Sequence, residues 1–259
     1  MAESRRSPGR WRPLAVKVAG VALVLAFWQA LSLQGGSRML PGLGQVGARL
    51  LELSASGELW SHLLTTLSRG LLGLAVAVVL GFALGVAAAR VRVIDAALHP
   101  LVSLLYPVPK LALYPVVILL LGFGAGSKVT QVALECFFPI FVQCHAGARS
   151  LPRNMLWLAQ NAGAGRWQVL TQLVLPVTLP SLLTGLRVAA PIMLIVMCVT
   201  EFIGESEGMG HLVTRQASYF DSAGAFAVVF CLGALGLLLD RAVVALRQRL
   251  VFWERGVGL

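Results

Sequence analysis

Ionisable side chains within the apolar stretches of this chain are the first residues whose chemistry could serve a function. A charged group at the centre of a bilayer costs about 2.5–3.5 kcal/mol on insertion scales, so its presence indicates a functional position. Lys110 follows Pro107 and Pro109, and this position favours contact with a polar solute that crosses the membrane. Arg69 and Arg187 could instead pair or snorkel near the ends of spans. The candidate residues of a translocation path are Pro107, Pro109, Lys110, Glu135, Arg187 and Glu201.

Other chemistries find little support in the residue pattern. The 4 histidines lack the spacing of metal ligands, and no Ser/His/Asp or Cys/His group converges. The 4 cysteines fall inside apolar segments, where we expect them to act as small packing residues. Residues 122–128 resemble a phosphate-binding loop but lack its spacing of Gly, four residues and Gly-Lys-Ser/Thr. We expect no catalytic residue, no metal ion and no cofactor on this chain, and an integral-membrane enzyme is the less favoured alternative.

Composition places the chain among membrane proteins. Of its 259 residues, 58% are hydrophobic and only 12% are charged, with a mean hydropathy of +0.82. A soluble domain carries about 25% charged residues. The net charge of +10 comes from basic residues that flank apolar segments, a pattern that sets membrane orientation. It does not indicate nucleic-acid binding, because no mixed basic and aromatic run occurs in a polar segment.

Apolar stretches near the length of about 20 residues that crosses a bilayer predict six transmembrane helices. A short amphipathic helix is predicted at 46–53, within a periplasmic interfacial segment at 34–61. The first stretch could also be a signal peptide with a weak cleavage site at Ala30-Leu31-Ser32, but its length favours an uncleaved span. Glu201 falls near the outer end of the fifth span, where we expect it to sit at an external gate or to support one. The predicted spans are 14–33, 62–89, 98–121, 129–146, 179–203 and 223–246.

Basic residues outside the spans predict the orientation. Most of them fall on the cytoplasmic side when both termini are placed there, as the positive-inside rule requires. The prediction is N-in/C-in, with a basic cytoplasmic N-terminus at 1–13, a five-helix core at 62–250 and a cytoplasmic tail at 251–259. The segment 149–175 is then cytoplasmic.

Three prolines interrupt the third span. Pro107, Pro109 and Pro115 remove backbone donors. In lipid, such a break survives only where it is buried in protein or lines a cavity. Broken helices near the midplane are a recurring device of transporters, so the pattern favours a span that lines a path over a kinked packing helix.

The segment 149–175 carries Arg and Gly residues that do not suit a span. Pro152 suits the first turn of a short helix, and Gly163 and Gly165 suit its end. Leu175-Pro176 then starts the next helix. A short helix that projects from a bundle into water is typical of a segment received by a groove on a partner.

The spacing of Gly163, nine residues, Leu173, one residue and Leu175-Pro176 resembles the signature loop of the permeases of ATP-binding-cassette (ABC) importers. The flanking segment 162–168 resembles the nitrate/sulfonate/taurine branch of these permeases. Further segments resemble that branch in order and at family-like spacing, so the likeness spans about residues 40 to 250. These segments are 40–41, 57–60, 106–115, 138–140, 200–204 and 208–212.

The resemblance implies a homodimeric permease with the all-α type I importer fold, surrounded by lipid in the inner (plasma) membrane. Each copy would dock its loop on a separate ABC ATPase subunit, which binds the ATP. A periplasmic or lipoprotein substrate-binding protein would deliver a small solute. The coupling residues implied by the resemblance are Pro152, Ala159, Gly163, Gly165, Arg166, Leu173, Leu175 and Pro176.

The opening of the loop departs from the family pattern. The family loop usually begins with Glu-Ala-Ala, whereas this chain has Trp157-Leu158-Ala159. The charged anchor of the loop is absent. Three interpretations stay open within the family: the loop couples less tightly, the partner ATPase compensates, or the chain is a diverged permease with an unusual partner. A diverged scaffold or sensor subunit is the alternative function.

Overall fold

The computed structural model describes residues 12–35, 40–204 and 206–253, and these residues form helices and connecting turns without a strand. In lipid, a helix satisfies its backbone polar groups within its own segment, which explains this architecture. The predicted termini at 1–13 and 251–259 lie largely outside the described residues. The helices are α1 (Arg12–Gly35), α2 (Leu43–Ala55), α3 (Glu58–Arg90), α4 (Arg92–Leu105), α5 (Tyr114–Leu121), α6 (Ala125–Arg149), α7 (Arg153–Asn161), α8 (Arg166–Val169), α9 (Leu175–Glu201), α10 (Met209–Ser218) and α11 (Ser222–Leu250), with a 3-10 turn at Lys110–Leu113 and a π-helical turn at Leu170–Val174.

Within the described ranges, four helices are long and apolar enough to cross a membrane. Three of them, α3, α6 and α11, correspond to the predicted second, fourth and sixth spans. The fourth is the continuous helix Arg166–Glu201. Helix α4 and the segment Lys110–Leu121 pass the same test only as a pair, bent by 90° at their junction. The described apolar part of α1, Val18–Gln34, is shorter than these spans, so the count of six stays a prediction.

The helix that forms the fifth predicted span begins at Arg166 rather than near residue 179, which corrects the predicted boundary. In the π-helical turn, the N–H of Leu175 donates to the carbonyl of Leu170, so the helix widens and continues. Pro176 lies in the first turn after it, where its missing donor is tolerated. The non-helical parts of the segment 149–175 are therefore confined to 150–152 and 162–165.

Besides α7, two shorter helices lie outside the candidate spans. The predicted helix at 46–53 is confirmed, and it extends over the whole of α2. The side-chain oxygen of Gln29 in α1 accepts from the N–H of Leu43 at 3.0 Å and so fixes the start of α2. The stretch before the last span contains α10.

The core of the bundle lies where α3, α6 and α9 pack together, and glycines of α3 set the spacing. A side chain at Gly73 would meet the carbonyl oxygen of Val129 at 2.7 Å, and one at Gly81 would meet Ile140 at 2.9 Å. Gly85 faces the α6 backbone in the same way. Small residues four residues apart, as Gly81 and Gly85 are, let transmembrane helices approach closely, so the α3–α6 contact depends on these glycines.

We predict that Gly81→Ala lowers the melting temperature of the purified protein in detergent. The added methyl must displace Ile140 or separate α3 from α6, and overpacking of this kind costs about 1–3 kcal/mol. The matched control is Gly233→Ala in α11, where an added methyl meets nothing within 4 Å. Equal melting temperatures for the two variants would contradict the close α3–α6 contact.

Candidate functional site

The break in the third span lies between α4 and the 3-10 turn, where Pro107 and Pro109 prevent the helix from continuing. Pro115 is not part of the break, because it sits in the first turn of α5, where its missing donor costs nothing. Residues 103–109 are all exposed in the single chain. The predicted break is thus confirmed, and it opens onto the surface of the protomer.

Lys110 lies on the buried side of the break and bonds to its backbone. Its ammonium is buried and donates to the carbonyl oxygens of Tyr106 at 3.2 Å and Val108 at 3.1 Å. It also lies 3.7 Å from Glu135 Oε2 and 4.4 Å from the centre of the Phe138 ring. Lys110 therefore satisfies carbonyls at the end of a helix that lipid could not satisfy. Two candidate path residues, Lys110 and Glu135, are brought together at the break.

We predict that Lys110→Met lowers the melting temperature in detergent, because the carbonyls at the break lose their buried donor at a cost of about 1–3 kcal/mol. Arg187→Met is the matched control, since its guanidinium is largely exposed and an exposed ion pair adds little to stability. A Lys110→Met variant of full stability that imports solute with a raised KM would contradict this account. It would place Lys110 at the solute instead.

Glu201 is fully buried at the end of α9 and holds the start of α10. Its carboxylate accepts from Thr66 Oγ1 of α3 and from the N–H of Gly210, each at 2.9 Å. Thr66 Oγ1 in turn accepts from the N–H of Met209 at 2.8 Å. A carboxylate at a helix N-terminus is stabilised by the unpaired N–H groups and the helix dipole. Three helices, α3, α9 and α10, therefore meet at this one side chain.

Two glycines make room for the Glu201 carboxylate. Gly208 has a φ of 104°, a conformation that other residues rarely adopt, and its N–H donates to His62 Nδ1 at 2.9 Å. A side chain at Gly208 would collide with Glu201, and one at Gly210 would collide with the carbonyl of Cys198. Segments 200–204 and 208–212, which are two separate points of resemblance in the sequence, thus form one cluster.

We predict that Glu201→Gln destabilises the protein measurably in thermal unfolding. The amide NH₂ of glutamine brings donors to a site where Thr66 and Gly210 already donate, and an unsatisfied buried group costs about 1–3 kcal/mol. Glu207→Gln is the matched control, because Glu207 is an exposed acid that pairs with Arg69 at 3.3 Å. If the Glu201 variant unfolds no earlier than the Glu207 variant, the cluster does not hold α10 in place.

Arg187 lies apart from the other path candidates. Its guanidinium pairs with Asp240 of α11, with Nε at 2.7 Å from Oδ1, and the side chain is more than half exposed. Nothing in the sequence singled out Asp240, which is far from Arg187 along the chain. The pair links α9 to α11 on the outside of the core.

The predicted coupling residues surround α7, which projects from one end of the bundle. Pro152 caps α7, Gly163 has a φ of 80° in the turn after it, and Gly165 caps α8. No residue of α7 is fully buried. Among the predicted residues, Gly163, Gly165 and Arg166 are exposed, whereas Ala159, Leu173, Leu175 and Pro176 are half-buried.

Three large apolar side chains of this segment are exposed, beside polar ones such as Arg153 and Gln160. Trp157 is 63% exposed, Leu158 67% and Trp167 74%. Since α7 lies beyond the span ends at Arg90 and Arg149, this apolar surface is placed for contact with another protein. Trp157, the position that departs from the family pattern, is part of it.

One cluster could not be found from sequence spacing. Asp95 and His99 of α4 and His145 of α6 place one ligand atom each within 4.8 Å of one another. His145 Nε2 lies 2.9 Å from Asp95 Oδ1, and Arg149 Nη1 lies 3.3 Å from Asp95 Oδ2. Both carboxylate oxygens are thus engaged, and the group ties α4 to α6.

A bundle of long apolar helices with a broken span and a projecting helix at one end is the architecture of a membrane permease. The sequence profile of the family described as binding-protein-dependent transport system inner membrane component matches residues 77–252, and the chain belongs to this family. It is therefore a multi-pass permease subunit of an ABC importer in the bacterial inner membrane, and a transport subunit rather than an enzyme. Members of the family work with ATPase and substrate-binding partners.

Individual relatives agree with this assignment. The chain is 34% identical to the formylaminopyrimidine transport permease protein ThiX of Halalkalibacterium halodurans, over 90% of this chain and 93% of the relative. It is 31% identical to the taurine transport system permease protein TauC of Escherichia coli, over 97% and 95%. A solved structure of the MetNI methionine ABC transporter in an inward-facing conformation matches with a TM-score of 0.59 and 16% identity, covering 77% of this chain and 97% of that one. These comparisons show the type I importer fold.

Proposed function

We propose that two copies of this chain enclose the transmembrane pathway of an ATP-driven importer, and that each copy docks α7 on an ATPase subunit. A separate binding protein delivers a small organic solute to the opposite end. The exposed break between α4 and α5 carries the proposal, because it requires a second protein surface.

The break cannot face lipid. Residues 103–109 are exposed in the single chain, and hydrocarbon does not satisfy the backbone groups of such a segment. A second copy that covers α4 and α5 would enclose the two breaks in a shared, partly hydrated cavity. Pro107 and Pro109 then line the pathway, while Lys110 and Glu135 support its wall from behind.

Docking of α7 on an ATPase follows from its shape and surface. Tryptophan is enriched among the residues that dominate binding energy, and Trp157 and Trp167 are both largely exposed. In this chain, apolar anchorage by Trp157 replaces the charge that opens the loop elsewhere in the family. The ATP is bound by the partner, so this chain holds no cofactor in the proposed cycle.

The distribution of basic residues supports placing α7, and the ATPase that binds it, on the cytoplasmic side of the membrane. The span ends next to α7 carry basic residues, as cytoplasmic ends do. With α7 in the cytoplasm and α1 as the first span, the chain has six spans and both termini inside. Glu201 and α10 then lie at the external end of the pathway.

The external end presents the surface proposed for the binding protein. Tyr219 is 76% and Phe220 91% exposed in the turn between α10 and α11. Asp221 and Glu52 bind Arg49 of α2, each at 2.6 Å, and these hydrogen bonds raise the pKa of the guanidinium. The turn is therefore held against α2 while its aromatic residues remain available.

Reconstitution tests the function as a whole. Proteoliposomes that contain the permease, its ATPase and its binding protein should accumulate a small solute only when ATP and the binding protein are both present. Formylaminopyrimidine and taurine are the first solutes to try, since relatives are named for them. A complex that hydrolyses ATP but moves none of the solutes bound by its own binding protein would favour the scaffold or sensor alternative.

We predict that Gly163→Ala weakens co-purification of the ATPase by a factor of about 5–30, because a side chain at a φ of 80° costs about 1–2 kcal/mol. Space is not the reason, since an added methyl would meet nothing within 4 Å. Gly57→Ala is the matched control, because Gly57 has the same φ of 80°, an added methyl would also meet nothing within 4 Å, and it lies at the start of α3, away from α7. Equal losses in both variants would contradict the role of the Gly163 turn.

A further inference from the structure

A basic cavity lies at the same end of the bundle as α7. Its volume is about 580 Å³, and its walls come from the C-terminal ends of α3 and α6 and the N-terminal ends of α4 and α7. The polar groups of the lining are arginines supplied by all four helices, together with one acid. They are Arg90, Arg92, Arg149, Arg153 and Asp95.

The single acid does not neutralise this lining. Asp95 Oδ1 bonds to His145 and Asp95 Oδ2 pairs with Arg149, so the carboxylate is already shared between two partners. Arg92 and Arg153 are exposed. Arg90 donates from Nη2 to the carbonyl of Ala148 at 2.8 Å, while its buried Nε has no hydrogen-bond partner. The cavity therefore holds an excess of positive charge and one unmet buried donor.

The remaining lining is apolar. Ala88, Ala89, Leu151 and Leu156 lie beside the arginines, and the cavity sits where the spans α3 and α6 end. This is the depth at which lipid phosphates meet water. Basic pockets between the ends of transmembrane helices bind anionic head groups, and the guanidinium fork matches the geometry of phosphate.

We propose that this cavity binds a phosphate-bearing anion, whose source is either the head group of an anionic phospholipid or a soluble phosphate compound. Arg90, Arg92 and Arg153 are its main ligands. Because Arg153 belongs to α7 and the other two belong to α3 and α4, the bound phosphate joins α7 to the bundle. The inference does not rest on ATPase docking, so the two proposals can fail separately.

The test is a binding titration followed by native mass spectrometry of the permease purified in detergent. Phosphatidylglycerol, phosphatidylcholine and pyrophosphate are titrated in separate arms. The variant is Arg92→Gln with Arg153→Gln, two exposed positions where folding is preserved. The matched control is Arg241→Gln with Arg249→Gln, two exposed arginines near the C-terminal end of α11 that do not line the cavity.

We expect the wild type and the control to bind an anionic ligand, and the cavity variant to bind it at least about tenfold more weakly, as expected for lost charge-assisted hydrogen bonds. Selective binding of phosphatidylglycerol over phosphatidylcholine identifies a lipid head group, whereas saturable binding of pyrophosphate identifies a soluble phosphate compound. The proposal is overturned if the wild type binds neither anion, or if the cavity variant and the control bind equally well.

Discussion

The close approach of α3 and α6 is the constraint on which the rest of the structure depends. Gly73, Gly81 and Gly85 leave no side chain between the two backbones, so the helices are fixed in register over most of their length. At one end, α6 places His145 and Arg149 against Asp95. Near its middle, α6 places Glu135 within 3.7 Å of Lys110 at the break. At the other end of the bundle, Thr66 of α3 donates to Glu201. One contact between helices thus sets the positions of three polar groups.

Two of these groups, the Lys110–Glu135 pair and Glu201 with Thr66, satisfy backbone atoms that lipid leaves unpaired. Lys110 donates to carbonyls at the end of α4, and Glu201 accepts from the N–H of Gly210 at the start of α10. Both are buried charges, and each would be costly without these partners. An ionisable residue in a membrane protein is therefore a sign of function in a broad sense. Lys110 and Glu201 satisfy irregular backbone at two places, the break after α4 and the start of α10.

The sequence predicts the parts of this structure that depend on local pattern. Hydrophobic length places α3, α6 and α11, and the prolines place the break. Local pattern does not predict the early start of the helix at Arg166, because the π-helical turn at Leu170–Val174 accommodates a proline that normally ends a helix. It also misses contacts between distant residues, such as Arg187 with Asp240 and Asp95 with His145, since only the packed helices bring them together. The sequence also does not distinguish a Lys110 that contacts the solute from a Lys110 that donates to the carbonyls of the break, because those carbonyls are placed by the folded chain.

Photo-cross-linking from position 157 tests the central claim, which is that the exposed face of α7 binds the ATPase. A photo-reactive phenylalanine analogue would replace Trp157 in cells that express the complete transporter, and Phe220 at the opposite end would carry the same analogue as a control. The account predicts a cross-linked product with the ATPase subunit from position 157 and none from position 220. Products with lipid alone from position 157, or equal ATPase products from both positions, would contradict it.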